Sequence, residues 1–360
     1  MTAIAAATAA YEAWMRGRIE VVERDLRLKH ERMAEAPFRF LRATFYRWVP
    51  VWQEACPELA KAPKLLAVGD LHVENFGTWR DAEGRLVWGV NDFDEAFAMP
   101  FTIDLVRLAT SALLAVREER LRLAAGDACA ALLAGYSETI AAEGGRPFVL
   151  EEEHAALRAM AMGAERDPVR FWEKLNAART APAPRQVEKL LRKAMPELDG
   201  RPRIAHRIAG LGSLGRPRFV ALGPSSGGLV AREAKALLPS AYAWANGIAA
   251  ERILTGTLAE AAIRSPDPFY RQKKGWVLRR LGPHCSAIEL GDLPKRREHL
   301  VILKAMGRET ANVHWGSPDA VGAIRRDLKR RKTDWLHHAA ARMAEAVMAD
   351  WKDWRRGREG

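Results

Sequence analysis

The sequence GDLHVEN at residues 69–75, followed by NDFDEA at residues 91–96, decides the fold of this chain. The segment between them, GTWRDAEGRLVWGV at 77–90, consists of two strand-like arms around a DAEG turn. Because the arms of a hairpin run out and back, its two ends lie side by side. The sequence therefore predicts that Asn75 and Asp92 meet at one place.

These two stretches contain the oxygen-bearing side chains that phosphoryl transfer requires. That reaction needs a carboxylate to orient the attacking hydroxyl, which is the role predicted for Asp70. It also needs separate oxygen ligands to hold magnesium against the phosphates of ATP, the role predicted for Asn75 and Asp92. Asp94 adds a second carboxylate to the predicted metal site. The interval between Asp70 and Asn75 lets one loop present both side chains to one pocket.

Simpler interpretations exist for each of these residues taken alone. Asp and Asn are common turn residues, and an aspartate beside a hairpin is usually a cap. The combination of an apolar strand, the loop, the hairpin and the following helix favours the phosphotransfer interpretation. His72 and Glu74 suggest a metal pair, but two such ligands without a third are weak support. We interpret His72 as a supporting residue of the loop.

A second motif, GLGSLG at residues 210–215, fits the pattern G-x-G-x-x-G. A dinucleotide-binding fold would continue into a helix after these glycines, whereas RPRFVAL continues as a strand. A hairpin that covers a nucleotide fits better, because its backbone amides approach phosphates closely where side chains are absent. The residues expected to contact the cofactor here are Gly210, Gly212, Ser213 and Gly215.

The strand VAREAK offers two cations for the phosphates, Arg232 and Lys235. The alternation of side chains along a strand places them on opposite faces, so at most one points into the cleft. The sequence does not choose between them. A glutamate should pair with the chosen cation, and Glu251 and Glu260 are the candidates.

The arrangement of elements predicts an α+β fold with two lobes. Helices are expected over 10–55, from Asp104 to about Trp172, over 240–263 and over 298–354. The stretch RIAGLGSLGRPRFVALGPSSGGLVAREAK predicts a small antiparallel sheet, and WVLRRL is a candidate for another strand. The proline-rich stretch ARTAPAPRQ suggests a lobe boundary near 178–186. The predicted parts are residues 1–178 and 284–360, which make up a large helical lobe, and 187–283, which form the small sheet lobe.

Composition narrows the class of protein. The 360 residues are 48% apolar and carry a formal net charge of +12, which favours anionic partners. No stretch is apolar enough for a membrane span, so we expect a cytoplasmic protein without one. Three cysteines without CxxC spacing suggest neither disulfides nor a zinc site. The basic run at 325–332 is interpreted as a solvated helix face, and the lack of an RNA-binding signature argues against a nucleic-acid partner.

Five blocks of the sequence resemble a bacterial family known as domain of unknown function 2252. The blocks are RMAEAPFRFLRA, GDLHVENFG, NDFDEAFAMPFTIDLVRLATS, GLGSLGRPRF and REAKALLPSA. GDLHVEN and NDFDEA also resemble the catalytic blocks of aminoglycoside and choline kinases. That resemblance implies that Asp70 is the catalytic base, that Asn75 and Asp92 bind magnesium, and that Asp104 braces the catalytic loop.

The order of the motifs differs from that in kinases, because the catalytic loop here precedes the glycine-rich hairpin. The helical segment LKAMGRETANVHWG at 303–316 resembles the helix that precedes the catalytic loop in small-molecule kinases. The resemblance therefore implies a circularly permuted, protein-kinase-like fold.

These observations lead to the expectation of an ATP- and Mg²⁺-dependent phosphotransferase that acts on a hydroxyl of a small molecule or protein. Two alternatives stay open. A nucleotidyl transferase would use the same metal site, and a nucleotide-binding pseudokinase or interaction protein would bind without turnover.

Overall fold

The fold is α+β: along the sequence, helices come both before and after the strands of an antiparallel sheet. A computed structural model describes residues 2–162, 167–249, 251–285 and 296–359, without the side chains of residues 296, 297 and 359. Of the helices in these ranges, none has the length and apolar character that crossing a membrane requires.

The first part of the chain is mainly helical, with short strands around the two opening motifs. Strands β1 and β4 pair with each other, and β2, β3 and β5 form a second small sheet. The predicted hairpin is confirmed, since β2 and β3 are antiparallel partners. The elements are α1 (Ala3–Arg16), α2 (Glu23–Glu35), α3 (Pro37–Ala43), α4 (Phe45–Ala55), β1 (Lys64–Ala67), β2 (Phe76–Arg80), β3 (Leu86–Val90), β4 (Phe97–Pro100), α5 (Thr102–Arg117), α6 (Ala125–Ala141), β5 (Phe148–Val149), α7 (Ala155–Ala161) and α8 (Pro168–Asn176).

The second part contains the main sheet, followed by long helices. Its strand order is β6-β7-β8-β10-β9, all antiparallel. The helix expected over 240–263 is instead two short helices, because the first ends at Ala245, with Asn246 as its cap, and Gly247 follows with a positive φ of 63°. The elements are α9 (Arg185–Ala194), β6 (Arg203–His206), β7 (Arg218–Ser225), β8 (Gly228–Ala236), α10 (Ala241–Ala245), α11 (Thr255–Ala261), β9 (Arg271–Lys273), β10 (Trp276–Leu281), α12 (Arg296–His314), α13 (Pro318–Arg330) and α14 (Trp335–Glu359).

The two faces of the main sheet have different neighbours. Helix α9 covers one face with Val187, Leu190 and Leu191, which pack against apolar residues of β7, β8 and β10. Helix α8 covers part of the other face through Leu175, although it precedes the stretch in which a lobe boundary is expected. The rest of that second face is open to a cleft.

A large core joins the helices that come before and after the sheet in the sequence. Helix α5 is buried along almost its whole length, and α12 and α14 pack against α6 and α5. The apolar stripe predicted on the last helix lies in this core, with Leu336 and Met343 almost fully buried. Burial of such side chains from distant parts of the chain holds the helical part together.

A buried carboxyl group, Glu309 of α12, fixes the end of the hairpin. Its Oε1 accepts a hydrogen bond of 3.1 Å from the backbone N–H of Val90, and its Oε2 accepts one of 3.1 Å from Asn312 Nδ2. Burial raises the pKa of Glu309 to about 7. The folded protein therefore holds a proton at this site that the unfolded chain releases at lower pH.

We expect Glu309→Gln to flatten the pH dependence of stability between about pH 4.5 and pH 7. Because the folded-state pKa is raised, the stabilisation from Glu309 is present at low pH and is lost as pH rises through the folded pKa. The loss in the wild type is on the order of 3 kcal/mol, and the glutamine cannot ionise. Urea unfolding at several pH values measures it. Glu345→Gln, at an exposed glutamate of α14, is the control, and identical pH profiles for wild type and Glu309→Gln would contradict the prediction.

Candidate active site

Asp104, in the first turn of α5, fixes the start of the loop at 68–75. Its carboxylate oxygens accept hydrogen bonds from the backbone N–H groups of Val68 and Gly69, at 2.8 and 2.7 Å. His314 at the end of α12 lies 3.0 Å from the same carboxylate. Gly69 has a φ of +85°, and a Cβ there would lie 2.9 Å from the carbonyl oxygen of Glu95. A glycine is therefore required where the loop turns past the second motif.

Asp70 is held by a buried arginine of α5. Arg107 donates to Asp70 Oδ1 from Nε at 2.7 Å and from Nη2 at 2.5 Å, and its side chain is completely buried. Burial raises the pKa of Asp70, and the charge of Arg107 opposes that rise. Both hydrogen bonds end on Oδ1, which leaves Oδ2 without a bond from Arg107, on the side of Gly212. Arg107 thus orients the carboxylate without covering it.

The hairpin brings Asn75 and Asp92 together. Asn75 Nδ2 donates to the backbone carbonyls of Asp70 and Asp92, each at 3.2 Å. Asn91 N donates to Asn75 O at 2.8 Å, which extends the pairing of the two arms. Because Nδ2 is used in this way, the amide oxygen of Asn75 is the atom available to a cation. The structure places these two residues side by side at the cleft.

Lys235 of the main sheet contacts both aspartates of the second motif. Its Nζ donates to Asp92 Oδ1 and Oδ2 at 3.0 and 2.9 Å and lies 2.7 Å from Asp94 Oδ1. Arg216 lies on the other side of Asp94 at 3.4 Å and donates to Glu95 at 3.0 Å. The Lys235 side chain is 2% exposed, whereas the Asp92 side chain is 38% exposed. Asp92 is therefore the accessible member of this group.

The two aspartates have opposite pKa shifts. Burial and the neighbouring charge of Asp92 raise the pKa of Asp94 to about 7. Burial alone would also raise the pKa of Asp92, but the charge of Lys235 and the hydrogen bonds from Asp94 and Lys235 lower it below its usual range. Asp92 thus keeps its negative charge at neutral pH, as a metal ligand must.

Arg232 lies on the opposite face of β8 from Lys235. Its Nε donates to Ala194 O of α9 at 3.0 Å, and its guanidinium lies 4.2 Å from the ring centre of Phe269. Lys235 is therefore the strand cation at the site. Glu251 and Glu260 are both exposed, and the carboxylates that pair with Lys235 are aspartates.

The glycine motif forms a turn against Asp70 and α2. Gly212 O accepts a hydrogen bond of 3.1 Å from Lys29 Nζ. A Cβ at Gly212 would lie 2.8 Å from Arg42 O and 3.6 Å from Asp70 Oδ2, so only glycine lets the turn lie this close. Burial lowers the pKa of Lys29 to about 8. Gly215 lies further from the site, with its carbonyl bound by Val22 N at 2.9 Å.

A cleft of about 1900 Å³ lies between the main sheet and the two motifs. Four of the predicted site residues do not line this cleft: Lys235, Arg232, Asp104 and Gly215. Lys235 is connected to the cleft only through its contact with Asp92. The predicted site residues that do line it are Asp70, His72, Asn75, Asp92, Asp94, Gly210, Gly212 and Ser213.

His72 is a buried member of the loop. Its backbone carbonyl accepts the N–H of Asn75 at 2.8 Å, which closes the turn between the two motif residues. Burial and the nearby charges of Arg42 and Arg107 lower the pKa of His72 well below its ordinary value. The imidazole is therefore neutral at pH 7, and Glu74 is bound by Arg42 and Arg120 instead of forming a metal pair with it.

The oxygen donors at this end of the cleft fit a magnesium ion held together with phosphates. Within the described ranges, no group of three or more His, Cys, Asp or Glu side chains is suited to hold a metal by itself. Mg²⁺ is usually bound through one or two carboxylates plus the oxygens of a bound phosphate. Asn75 and Asp92 can supply that partial set, with Asp94 behind them.

Several residues of the site were not predicted from the sequence. Arg107 is the lone cation in the apolar helix TIDLVRLATSALLAV, and such a residue indicates a buried acidic partner. Glu233 is fully buried, but it stands between Arg232 and Ala234 in the charged stretch VAREAK, so the sequence does not single it out. The sequence does not distinguish Lys29 or Arg216 as a site residue, because each stands in a segment that is rich in charged residues.

A comparison with protein families identifies the family of this chain. The model described as "Uncharacterized protein conserved in bacteria (DUF2252)" matches residues 18–203, which is more than half of the sequence. The chain therefore belongs to the DUF2252 family. The search of curated proteins and the search of solved structures gave no match.

We expect Lys235→Met to destabilise the protein by about 3 kcal/mol at pH 8, because the buried carboxylate of Asp94 and the more exposed one of Asp92 both lose the lysine charge. The loss should shrink at pH 5, because Asp94, with a pKa of about 7, is then protonated in both proteins and only the charge of Asp92 lacks the lysine. Urea unfolding at both pH values measures the difference. Arg232→Met is the matched control, since the hydrogen bonds of Arg232 end on backbone carbonyls. A Lys235→Met loss that is the same at both pH values would refute this assignment.

Proposed function

We propose that this member of the DUF2252 family is an ATP- and Mg²⁺-dependent phosphotransferase that acts on a hydroxyl of a small molecule or protein. One observation carries the proposal. Lys235 from the main sheet is bound to Asp92, and Asp92 shares the cleft with Asp70, Asn75 and the glycine turn. Kinases use the same set of groups: a lysine on a strand, an aspartate that binds the metal, and a loop that carries both an asparagine and the catalytic base.

The arrangement of the sheet supports a protein-kinase-like fold. The glycine turn connects β6 and β7, and the lysine lies on the third strand, β8, as in kinases. In the present chain the loop with Asp70 comes before this sheet. The end of α12 returns to the loop through the contact between His314 and Asp104. These positions favour a circularly permuted, two-lobed arrangement.

The proposed chemistry assigns one task to each side chain. When bound, ATP supplies the phosphoryl group and magnesium neutralises the charge on its oxygens. Asp70 Oδ2 orients the acceptor hydroxyl and takes its proton. As the proton leaves, the oxygen of the acceptor hydroxyl forms a bond to the γ-phosphorus. The bond from the γ-phosphorus to the bridging oxygen breaks, and ADP leaves with that electron pair. Arg107 keeps Asp70 in position during this step.

The remaining residues hold the donor end. Asn75 and Asp92 would hold the metal, Lys235 keeps Asp92 ionised and in place, and the backbone of the glycine turn covers the phosphates. Lys29 fixes that turn through its bond to Gly212. Each of these tasks is positional or electrostatic, as expected for phosphoryl transfer.

We expect Asp70→Asn to reduce phosphate transfer by at least about a hundredfold while changing nucleotide affinity little, because general-base catalysis contributes about that much or more. Label transfer from [γ-³²P]ATP to a desalted bacterial extract measures turnover. Titration with a non-hydrolysable ATP analogue and Mg²⁺ measures affinity. The asparagine can still accept the hydrogen bonds of Arg107, so folding should be retained.

Asp319→Asn, at an exposed residue of α13, is the matched control and should keep full activity. Undiminished transfer by Asp70→Asn would reject Asp70 as the base. Label transferred from [α-³²P]ATP instead would indicate nucleotidyl transfer. Analogue binding without any turnover by the wild type would indicate a non-catalytic nucleotide-binding protein.

A further inference from the structure

Three arginines surround one buried carboxylate on the cleft face of the main sheet. Arg279 Nε donates to Glu233 Oε1 at 2.7 Å, Arg218 Nη1 lies 3.3 Å from the same oxygen, and Arg207 is also bound to Glu233. We call these four residues the arginine cluster. The proposed roles of Asp70, Asn75, Asp92 and Lys235 do not use it.

The register of the strands produces this cluster. Glu233 on β8 is opposite Arg279 on β10, so their side chains lie on the same face. Arg218 begins β7, and Arg207 follows β6 and donates its backbone N–H to Arg218 O at 3.0 Å. All three arginines line the cleft, whereas Glu233 is completely buried beneath them.

The charges of the cluster do not balance. Three guanidinium groups, which stay protonated, share one carboxylate. After Glu233, Asp92 is the carboxylate whose charge acts most strongly on Arg279, but Asp92 is already bound by Lys235. Burial and the like charges of Arg218 and Arg279 lower the pKa of Arg207. One arginine would suffice to neutralise Glu233, so the excess of positive charge is available to an anion.

The arginines are held in place before any ligand binds. Arg218 Nη2 donates to Ser213 Oγ of the glycine turn at 2.6 Å, and its side chain is only 4% exposed. Arg207 and Arg279 are 25% and 19% exposed, so their free edges face the cleft. Guanidinium groups fixed in this way match the oxygens of a phosphate group.

The cluster lies close to the proposed metal site. Glu233 and Lys235 are two residues apart on one strand, which places their side chains on the same face about 7 Å apart. A ligand that extends along the sheet from Asp92 therefore reaches the arginines. An oligophosphate chain has the required charge at both ends.

We propose that the arginine cluster is a second phosphate subsite, which binds the end of an oligophosphate that is remote from the metal ligands. This inference deepens the proposed function and rests on it for the orientation of the nucleotide. The subsite makes the phosphate chain, held at two points along the sheet, a principal source of nucleotide affinity.

The test uses inorganic tripolyphosphate without magnesium and calorimetric titration of the full chain. We expect Arg207→Gln to weaken tripolyphosphate binding about tenfold or more, as expected for the loss of charge-assisted hydrogen bonds. Arg192→Gln removes an arginine of α9 that is paired with Glu188 at the surface, on the opposite face of the same sheet, and should stay within about twofold of the wild type. Equal weakening by both variants would show only general charge attraction and would overturn the subsite.

A second variant keeps the test valid if Arg207→Gln does not fold. Arg207→Lys retains the charge but loses the planar fork, so it should bind tripolyphosphate measurably more weakly than the wild type. Arg207→Lys that binds tripolyphosphate as tightly as the wild type would also overturn the proposal.

The two proposals fail separately. Asp319→Asn should bind tripolyphosphate as tightly as the wild type, because Asp319 is exposed on α13 and does not line the cleft. Absence of phosphate transfer together with binding that depends on Arg207 would refute the phosphotransferase but support the subsite. Transfer from [γ-³²P]ATP together with tripolyphosphate binding indifferent to Arg207 would refute the subsite alone.

Discussion

The contact between Lys235 and the aspartates of the NDFD motif is the interaction on which the rest of this structure depends. It joins the central strand of the main sheet to the end of the β2–β3 hairpin, across 143 positions of sequence. Asp94 is 10% exposed and lies beside the more accessible Asp92, and without the lysine charge this pair of carboxylates would bind a proton more tightly. The lysine therefore fixes both the position of the sheet and the charge of the proposed metal ligand.

The surroundings of this contact divide the cleft into two electrostatic parts. On the side of the motifs, carboxylates are oriented by cations that lie behind them, as Arg107 does for Asp70. On the sheet side, the arginine cluster holds more positive than negative charge. A nucleotide with magnesium has the complementary pattern, with a cation near one end of its phosphate chain and free negative charge along the rest. Complementary fields of this kind are set by the fold before the ligand arrives.

The local features of this site could be predicted from the sequence. The hairpin follows from its own turn and alternation, and it alone brings Asn75 beside Asp92. The choice between Arg232 and Lys235 could not be made, because alternation shows that they face opposite ways but not which face is covered. The helix α9 decides it by packing on the face of Arg232.

Other features required the tertiary structure. The partners of Glu233 come from three strands, and only the register of the sheet shows that they converge. The break between α10 and α11 was missed because the apolar pattern continues past Gly247, while the positive φ at that glycine ends the helix. Lys29 reaches the glycine turn from α2, a contact that no spacing in the sequence indicates.

The most direct test of the central claim is a crystal structure with Mn²⁺ and a non-hydrolysable ATP analogue, in which anomalous scattering locates the metal. The account predicts a manganese peak within about 2.3 Å of an Asp92 carboxylate oxygen and of Asn75 Oδ1, with the phosphates beneath the glycine turn. A nucleotide bound elsewhere, or a metal that does not contact Asp92, would contradict it.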